Sequence, residues 1–121
     1  MGIYDQSFEE ILRDRLMAVA KIFKALGDQT RLEMVKRLSG GNSYSISKVT
    51  SELGISRQGA RKHLQVLVDA KLIVLEPKGR DIIVKVDPKS LETAKEFIAR
   101  LELQWDVRLN DLRNFVEKAE K

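Results

Sequence analysis

The sequence predicts a mostly α-helical domain that carries one small β-hairpin, and three observations predict it. Apolar residues recur at helical spacing from Phe8 to Leu38 and again from Ile46 to Leu67. At Leu72 the pattern changes to short β-rich runs on either side of Pro77-Lys78-Gly79-Arg80. After Asp87-Pro88 the steps of three and four return and hold for about thirty residues. A chain of 121 residues, 43% hydrophobic and 33% charged, is expected to form one globular domain over 1–121 with its own core.

The elements follow in order. Ser7-Phe8-Glu9-Glu10 matches a capping box, in which a Ser side chain and a Glu three residues on satisfy each other's backbone N–H. It predicts a helix over 7–26, ended by Gly27. Apolar residues cover about half of that helix, wider than the stripe of roughly 100° that one packing face needs. Part of it should therefore pack on the domain. The rest, with Ile11, Leu12 and Val19, should pack on something else. Asp28 is a second N-cap. It opens a short helix with Leu32, Val35 and Leu38 inward and Gly40-Gly41-Asn42 at its end.

Residues 45–70 read as two helices joined by a tight turn. Ile46, Val49 and Leu53 make one apolar face of the first. Gly54 suits the left-handed stop, Ile55 anchors the turn, and Ser56 caps the second helix. On that second helix Ala60, Leu64, Leu67 and Lys71 share one arc, with His63 at its edge. Arg57, Gln58, Arg61, Lys62 and Gln65 fill an adjacent arc about 140° wide at 100° per residue, with no acid before Asp69. Arg and Gln match guanine and adenine edges bidentately. A short helix, a Gly-containing turn and a second helix with a basic outer face form the helix-turn-helix layout for the DNA major groove. The bland alternative is a solvated charged face.

Leu72–Leu75 and Ile82–Val86 are expected to be the strands of a hairpin over 72–87, with Pro77-Lys78-Gly79-Arg80 as its turn. A hairpin behind a helix-turn-helix is a wing, and a basic tip suits phosphate. Asp87-Pro88 opens the last helix, over 88–119, with Asp87 or Ser90 as cap. Its seam runs through Leu91, Ala94, Ile98, Leu101, Trp105, Leu109, Leu112 and Val116 in coiled-coil-like steps. Little in the chain is left to cover that seam except the spare face of the first helix. A second copy of the chain would cover it.

Composition narrows the function. There is no cysteine and one histidine, so a zinc site, a disulfide or a thiol switch is not expected, nor is any cofactor. No apolar run is long enough to span a bilayer. Charged residues interrupt the apolar positions of the N-terminus, so a signal peptide is not expected and a cytoplasmic location is. The net charge is +4, and residues 43–87 hold eight Lys and Arg against five Asp and Glu. The excess cation thus sits with the helix pair and the hairpin, where a polyanion would meet it. A catalytic role for His63 would need a nucleophile in a cleft, and the sequence suggests none. Glu92, Glu96 and Glu102 could hold a hard cation, but their interleaving with Lys95 and Arg100 favours solvated pairs along the helix.

Several spaced motifs then resemble one family. Residues 23–38, with Leu26-Gly27-Asp28 and Thr30-Arg31-Leu32, resemble the opening of ArsR-type winged-helix repressors. Leu53-Gly54-Ile55-Ser56 followed by Lys62-His63-Leu64 and Val66-Leu67 is similar to that family's recognition segment, and Gly79-Arg80 to its wing. The last helix, with Trp105-Asp106-Val107-Arg108-Leu109, is similar to a metal-free branch. Three positions depart from the pattern: Lys71 stands where Gly is common, Gly59-Ala60 replaces bulkier residues and is expected to soften the recognition helix, and Val84 stands where many members have Tyr.

The resemblance implies a homodimeric transcriptional repressor that holds double-stranded DNA and dimerises through its first and last helices. Arg57, Gln58, Arg61 and Gln65 are then expected to read bases, while Ser56, Lys62, Lys78 and Arg80 meet phosphate. Ile11, Leu12, Val19, Leu101, Trp105, Leu109 and Leu112 are expected at the dimer interface. If a small-molecule effector regulates the protein, its expected place is between the first and last helices. The competing reading is a winged-helix module that binds protein, which predicts an apolar outward face on the second helix of the pair.

Overall fold

The computed structural model describes residues 2–40 and 44–120. The chain order is α1 (Gly2–Leu26), α2 (Gln29–Leu38), β1 (Tyr44–Ser45), α3 (Ile46–Leu53), α4 (Arg57–Asp69), β2 (Ile73–Lys78), β3 (Asp81–Val86) and α5 (Pro88–Glu120). Helix α1 begins at Gly2, not at Ser7. Residues 2–6 contain no proline to stop a helix, and a Ser-x-x-Glu spacing fits a helix interior as well as an N-terminus. Gly27 does follow its last residue, and Asp28 caps α2, its Oδ1 accepting from the Arg31 N–H at 3.1 Å.

Helix α2 is rotated from the expected phase. Met34, Val35 and Leu38 are buried, whereas Leu32 is 51% exposed. The inward stripe is centred between Met34 and Val35, and at 100° per residue Leu32 falls well to one side of it. Helix α2 ends at Leu38 with Ser39 as C-cap. The expected stop at Gly40-Gly41-Asn42 lies mostly outside the described residues.

The hairpin is part of a three-stranded antiparallel sheet in the order β1-β3-β2. The third strand is the two-residue β1, with Tyr44 opposite Val84 and Ser45 opposite Ile83. It was not expected, because two residues carry no readable alternation. The wing is also longer and tighter than the sequence suggested. Lys78 pairs with Asp81 and Pro77 with Ile82, so the turn is only Gly79-Arg80, with Gly79 at φ 63°. A glycine in the left-handed region at the first turn position matches the right-handed twist of the strands. Pro77 is tolerated because β2 is an edge strand. Leu72 lies just outside β2 and is fully buried.

One core lies under these elements. Met34, Leu64, Leu67, Leu72 and Val84 are its largest fully buried side chains. Helix α5 opens with Asp87 Oδ1 accepting from Lys89 N–H at 3.0 Å. Ser90 is not the cap. It is buried, and its hydroxyl donates to the Lys71 carbonyl at 2.6 Å. Lys71 itself is not on α4. It follows the C-cap Ala70 and takes φ 61°, the conformation for which glycine has no steric cost. That explains why a glycine would suit this position.

Candidate nucleic-acid interface

Helices α3 and α4 are placed by their caps and by the turn between them. Ser45 Oγ accepts from Lys48 N–H at 3.1 Å and opens α3. Gly54 ends it at φ 64°. Ile55 packs against the core beneath the turn. Ser56 Oγ accepts from Gly59 N–H at 3.0 Å and opens α4, which leaves the Ser56 O–H proton free to donate. A Cβ at Gly59 would stand 3.1 Å from that hydroxyl, so the glycine leaves room for the cap.

Burial then fixes which face of α4 looks outward. Ala60, Leu64 and Leu67 are sealed in the core. Arg57, Gln58, Arg61, Lys62 and Gln65 are all exposed. Gln65 Nε2 donates to Asp69 Oδ1 at 2.8 Å, which ties up the first acid of the helix at its C-terminal end. The wing tip carries Lys78 and Arg80, also exposed. Two cations of the domain are neutralised: Arg37 bridges Glu33 and Glu52 at 3.0 Å each, and Lys85 meets Glu76 at 3.0 Å. Among the described residues, Arg57, Arg61, Lys62, Lys78 and Arg80 form no ion pair. The outward apolar face that a protein-binding helix would show is absent from this arc.

A cluster that sequence reasoning did not assemble locks α4 to the rest of the chain. Arg31 Nε donates to the Ala25 carbonyl at 2.6 Å and Nη2 reaches the Lys24 carbonyl at 3.4 Å, so the guanidinium caps the C-terminus of α1. Its Nη1 lies 3.2 Å from His63 Nδ1 on α4. With Nδ1 accepting, a neutral imidazole carries its proton on Nε2. Asp28 completes the group, 4.0 Å from Arg31 and 3.9 Å from His63. The Arg31 N–H bond to its side chain, then the Arg31 charge, hold the Asp28 carboxyl below its ordinary 3.8. Asp28 ahead of the apolar run of α2 showed the cap. Nothing local showed that His63, far along the chain, would meet them.

The expected interface residues on α1 and α5 divide. Ile11, Leu12, Leu101, Trp105, Leu109 and Leu112 are exposed, Trp105 by 63%. Val19 is different: at 7% exposure it is already buried within the protomer and is withdrawn from the outer face. Between α1 and α5 lies a groove of about 590 Å³, lined by Leu12, Leu16, Val19, Phe97 and Leu101. Glu92, Glu96 and Glu102 form none of the ion pairs expected of them among the described residues. No group of three His, Asp or Glu able to hold a metal ion occurs among the described residues. No helix there is long and apolar enough to cross a membrane.

A helix pair with a glycine turn, an outward basic arc and a β-hairpin beside it defines a winged helix-turn-helix DNA-binding domain. Residues 26–76 match the model of a helix-turn-helix domain family. The chain is 42% identical to the uncharacterised HTH-type transcriptional regulator YuzN of Bacillus subtilis, over 49% of this chain and 71% of that protein. It is 33% identical to the arsenical resistance operon repressor of the same organism, over 62% of this chain and 68% of that protein. Among solved structures, an ArsR-like transcriptional regulator from Rhodococcus sp. RHA1 superposes with a TM-score of 0.74 at 30% identity, covering 83% of this chain and 93% of that one. The chain belongs to the ArsR family of helix-turn-helix transcriptional regulators. It is a DNA-binding regulator of that family.

Proposed function

We propose that the protein is a repressor that binds an inverted-repeat operator as a homodimer, with α4 in the major groove and the wing over the backbone. The observation that carries this reading is the outward arc of α4, whose cations form no ion pair among the described residues and whose opposite face is sealed in the core. Arg57, Gln58, Arg61 and Gln65 are assigned to base edges, although Gln65 must leave Asp69 to reach one. Ser56, Lys62, Lys78 and Arg80 are assigned to phosphate. Two copies joined through α1 and α5 would cover Ile11, Leu12, Leu101, Trp105, Leu109 and Leu112 and set two recognition helices one helical turn of DNA, or a multiple, apart. One relative is named a repressor, which supports the direction of regulation. We assign no catalysis, metal or cofactor, and place the protein with the DNA in the cytoplasm. A small-molecule effector, if one acts, is assigned to the α1–α5 groove.

Phosphate contacts release counterions without reading sequence, whereas base contacts discriminate. The test is binding to a fragment selected from genomic DNA and to a scrambled duplex over a salt series. Arg61→Ala is expected to cost about 1–3 kcal/mol on the selected site and to flatten preference at one or two base pairs. Lys78→Ala or Arg80→Ala is expected to weaken both duplexes alike and lower the salt slope by about 1. The reverse pattern would exchange the roles of helix and wing. A wild type that binds neither duplex at low salt would replace this reading with the protein-binding module.

A further inference from the structure

Lys48 stands apart from the other cations around the helix-turn-helix. It lies on α3, in the first turn behind the cap Ser45. Its ammonium sits 4.8 Å from the centre of the Tyr44 ring. It is exposed and, among the described residues, forms no ion pair, whereas Arg37 and Lys85 are bound by glutamates. Tyr44 is held in turn. It is half-buried against the core, and its backbone pairs with Val84 on β3, the strand that leads out of the wing tip. The ring is therefore a fixed platform and the ammonium a cation placed over it.

A lysine on a surface ordinarily moves among many rotamers, and ordering it at a ligand costs part of that side-chain freedom. The negative face of an aromatic ring restrains the ammonium at an exposed site without consuming its charge. Three N–H donors remain for a ligand. In helix-turn-helix proteins the first helix of the pair crosses the DNA backbone. A restrained, unneutralised cation at the start of that helix suits a phosphodiester.

We propose that Tyr44 and Lys48 form a backbone-phosphate clamp, a third point of DNA contact beside α4 and the wing. Lys48 meets a phosphate oxygen and Tyr44 holds it in place. The proposal rests on the DNA-binding reading above, and carries no sequence preference of its own.

The test uses the full chain on a mixed-sequence duplex across a salt series. Lys48→Ala and Lys48→Gln are each expected to lower the salt slope by about 1, so that wild type loses roughly three- to fourfold more affinity than the variant between about 50 and 200 mM salt. The loss should be the same on a selected site, and the thermal melt should not move. Tyr44→Phe, which keeps the ring face, is expected to bind like wild type. Tyr44→Leu should weaken binding several-fold with the slope unchanged, because the charge remains and only its placement is lost. A slope that stays at the wild-type value in both Lys48 variants would overturn the clamp while wild type still binds. Wild type failing on every duplex would instead overturn the DNA-binding reading itself.

Discussion

Residues 88–97 and residues 98–120 belong to one uninterrupted helix, yet only the first part is covered by the protomer. Ser90 and Ala94 are buried, and Leu91 and Phe97 are half-buried, Phe97 against Phe23 of α1 at 5.9 Å between ring centres. Every residue from Ile98 to Glu120 is exposed, although Leu101, Trp105, Leu109 and Leu112 continue the apolar stepping. That second part is about 35 Å long at 1.5 Å per residue. The same split occurs on α1, where Val19 and Ile22 are buried and Ile11 and Leu12 are not. Hydrophobic periodicity says that a face is apolar. Which part of it a single chain can cover depends on where the neighbouring helix runs.

The largest effect is expected in the uncovered part. With the dimer proposed above, Trp105→Ala should cost about 3–5 kcal/mol if the ring is buried between copies. The loss should fall as protein concentration rises, and sedimentation should show dissociation. A folded wild-type monomer at micromolar concentration would break the comparison, because the overhang would then be stable in water. Leu64→Ala tests the covered part. It removes a core side chain of α4 and should cost about 2–5 kcal/mol, independent of protein concentration in chemical denaturation.

Two smaller effects sharpen the picture around α4. Lys71 holds a left-handed backbone conformation that costs a residue with a Cβ about 1–2 kcal/mol. Lys71→Gly should recover part of that, seen as a higher denaturation midpoint with DNA affinity unchanged. A lower midpoint would mean that the lysine side chain supports the turn. At Asp28 the sign follows from its lowered pKa. The charged form stabilises the fold, fully above the ordinary 3.8, and the contribution is lost as pH falls through the depressed value. Asp28→Asn keeps a capping oxygen but removes the charge. The gap in stability between wild type and Asp28→Asn should be constant at neutral pH and close on acidification. A gap that widens in acid would contradict the electrostatic role.

The recognition element was legible because its signals are local. Gly54, Ile55 and Ser56 specify stop, anchor and cap within three residues, and the two arcs of α4 follow from its own periodicity. The wing was legible as a hairpin, but its turn was placed two residues too wide, because Pro77 reads as a turn residue unless the strand is known to be an edge. Strand β1 was missed, since it exists only through its pairing with β3. Leu32 was assigned inward because short helices leave the phase of the stripe poorly determined, and here Met34 takes its place. The Arg31–His63 contact joins residues 32 positions apart, and the Tyr44–Lys48 pair depends on the strand that orients the ring.

By itself the sequence determined the helices, the caps of α2 and α4, the outward basic arc and the apolar excess on the first and last helices, because each rests on residues within a few turns of one another. The tertiary structure alone decided which apolar residues face the core and which remain uncovered, why Lys71 occupies a position suited to glycine, and how Arg31 ties the end of α1 to α4. Those outcomes depend on distances between segments remote in the chain, and no local spacing encodes them.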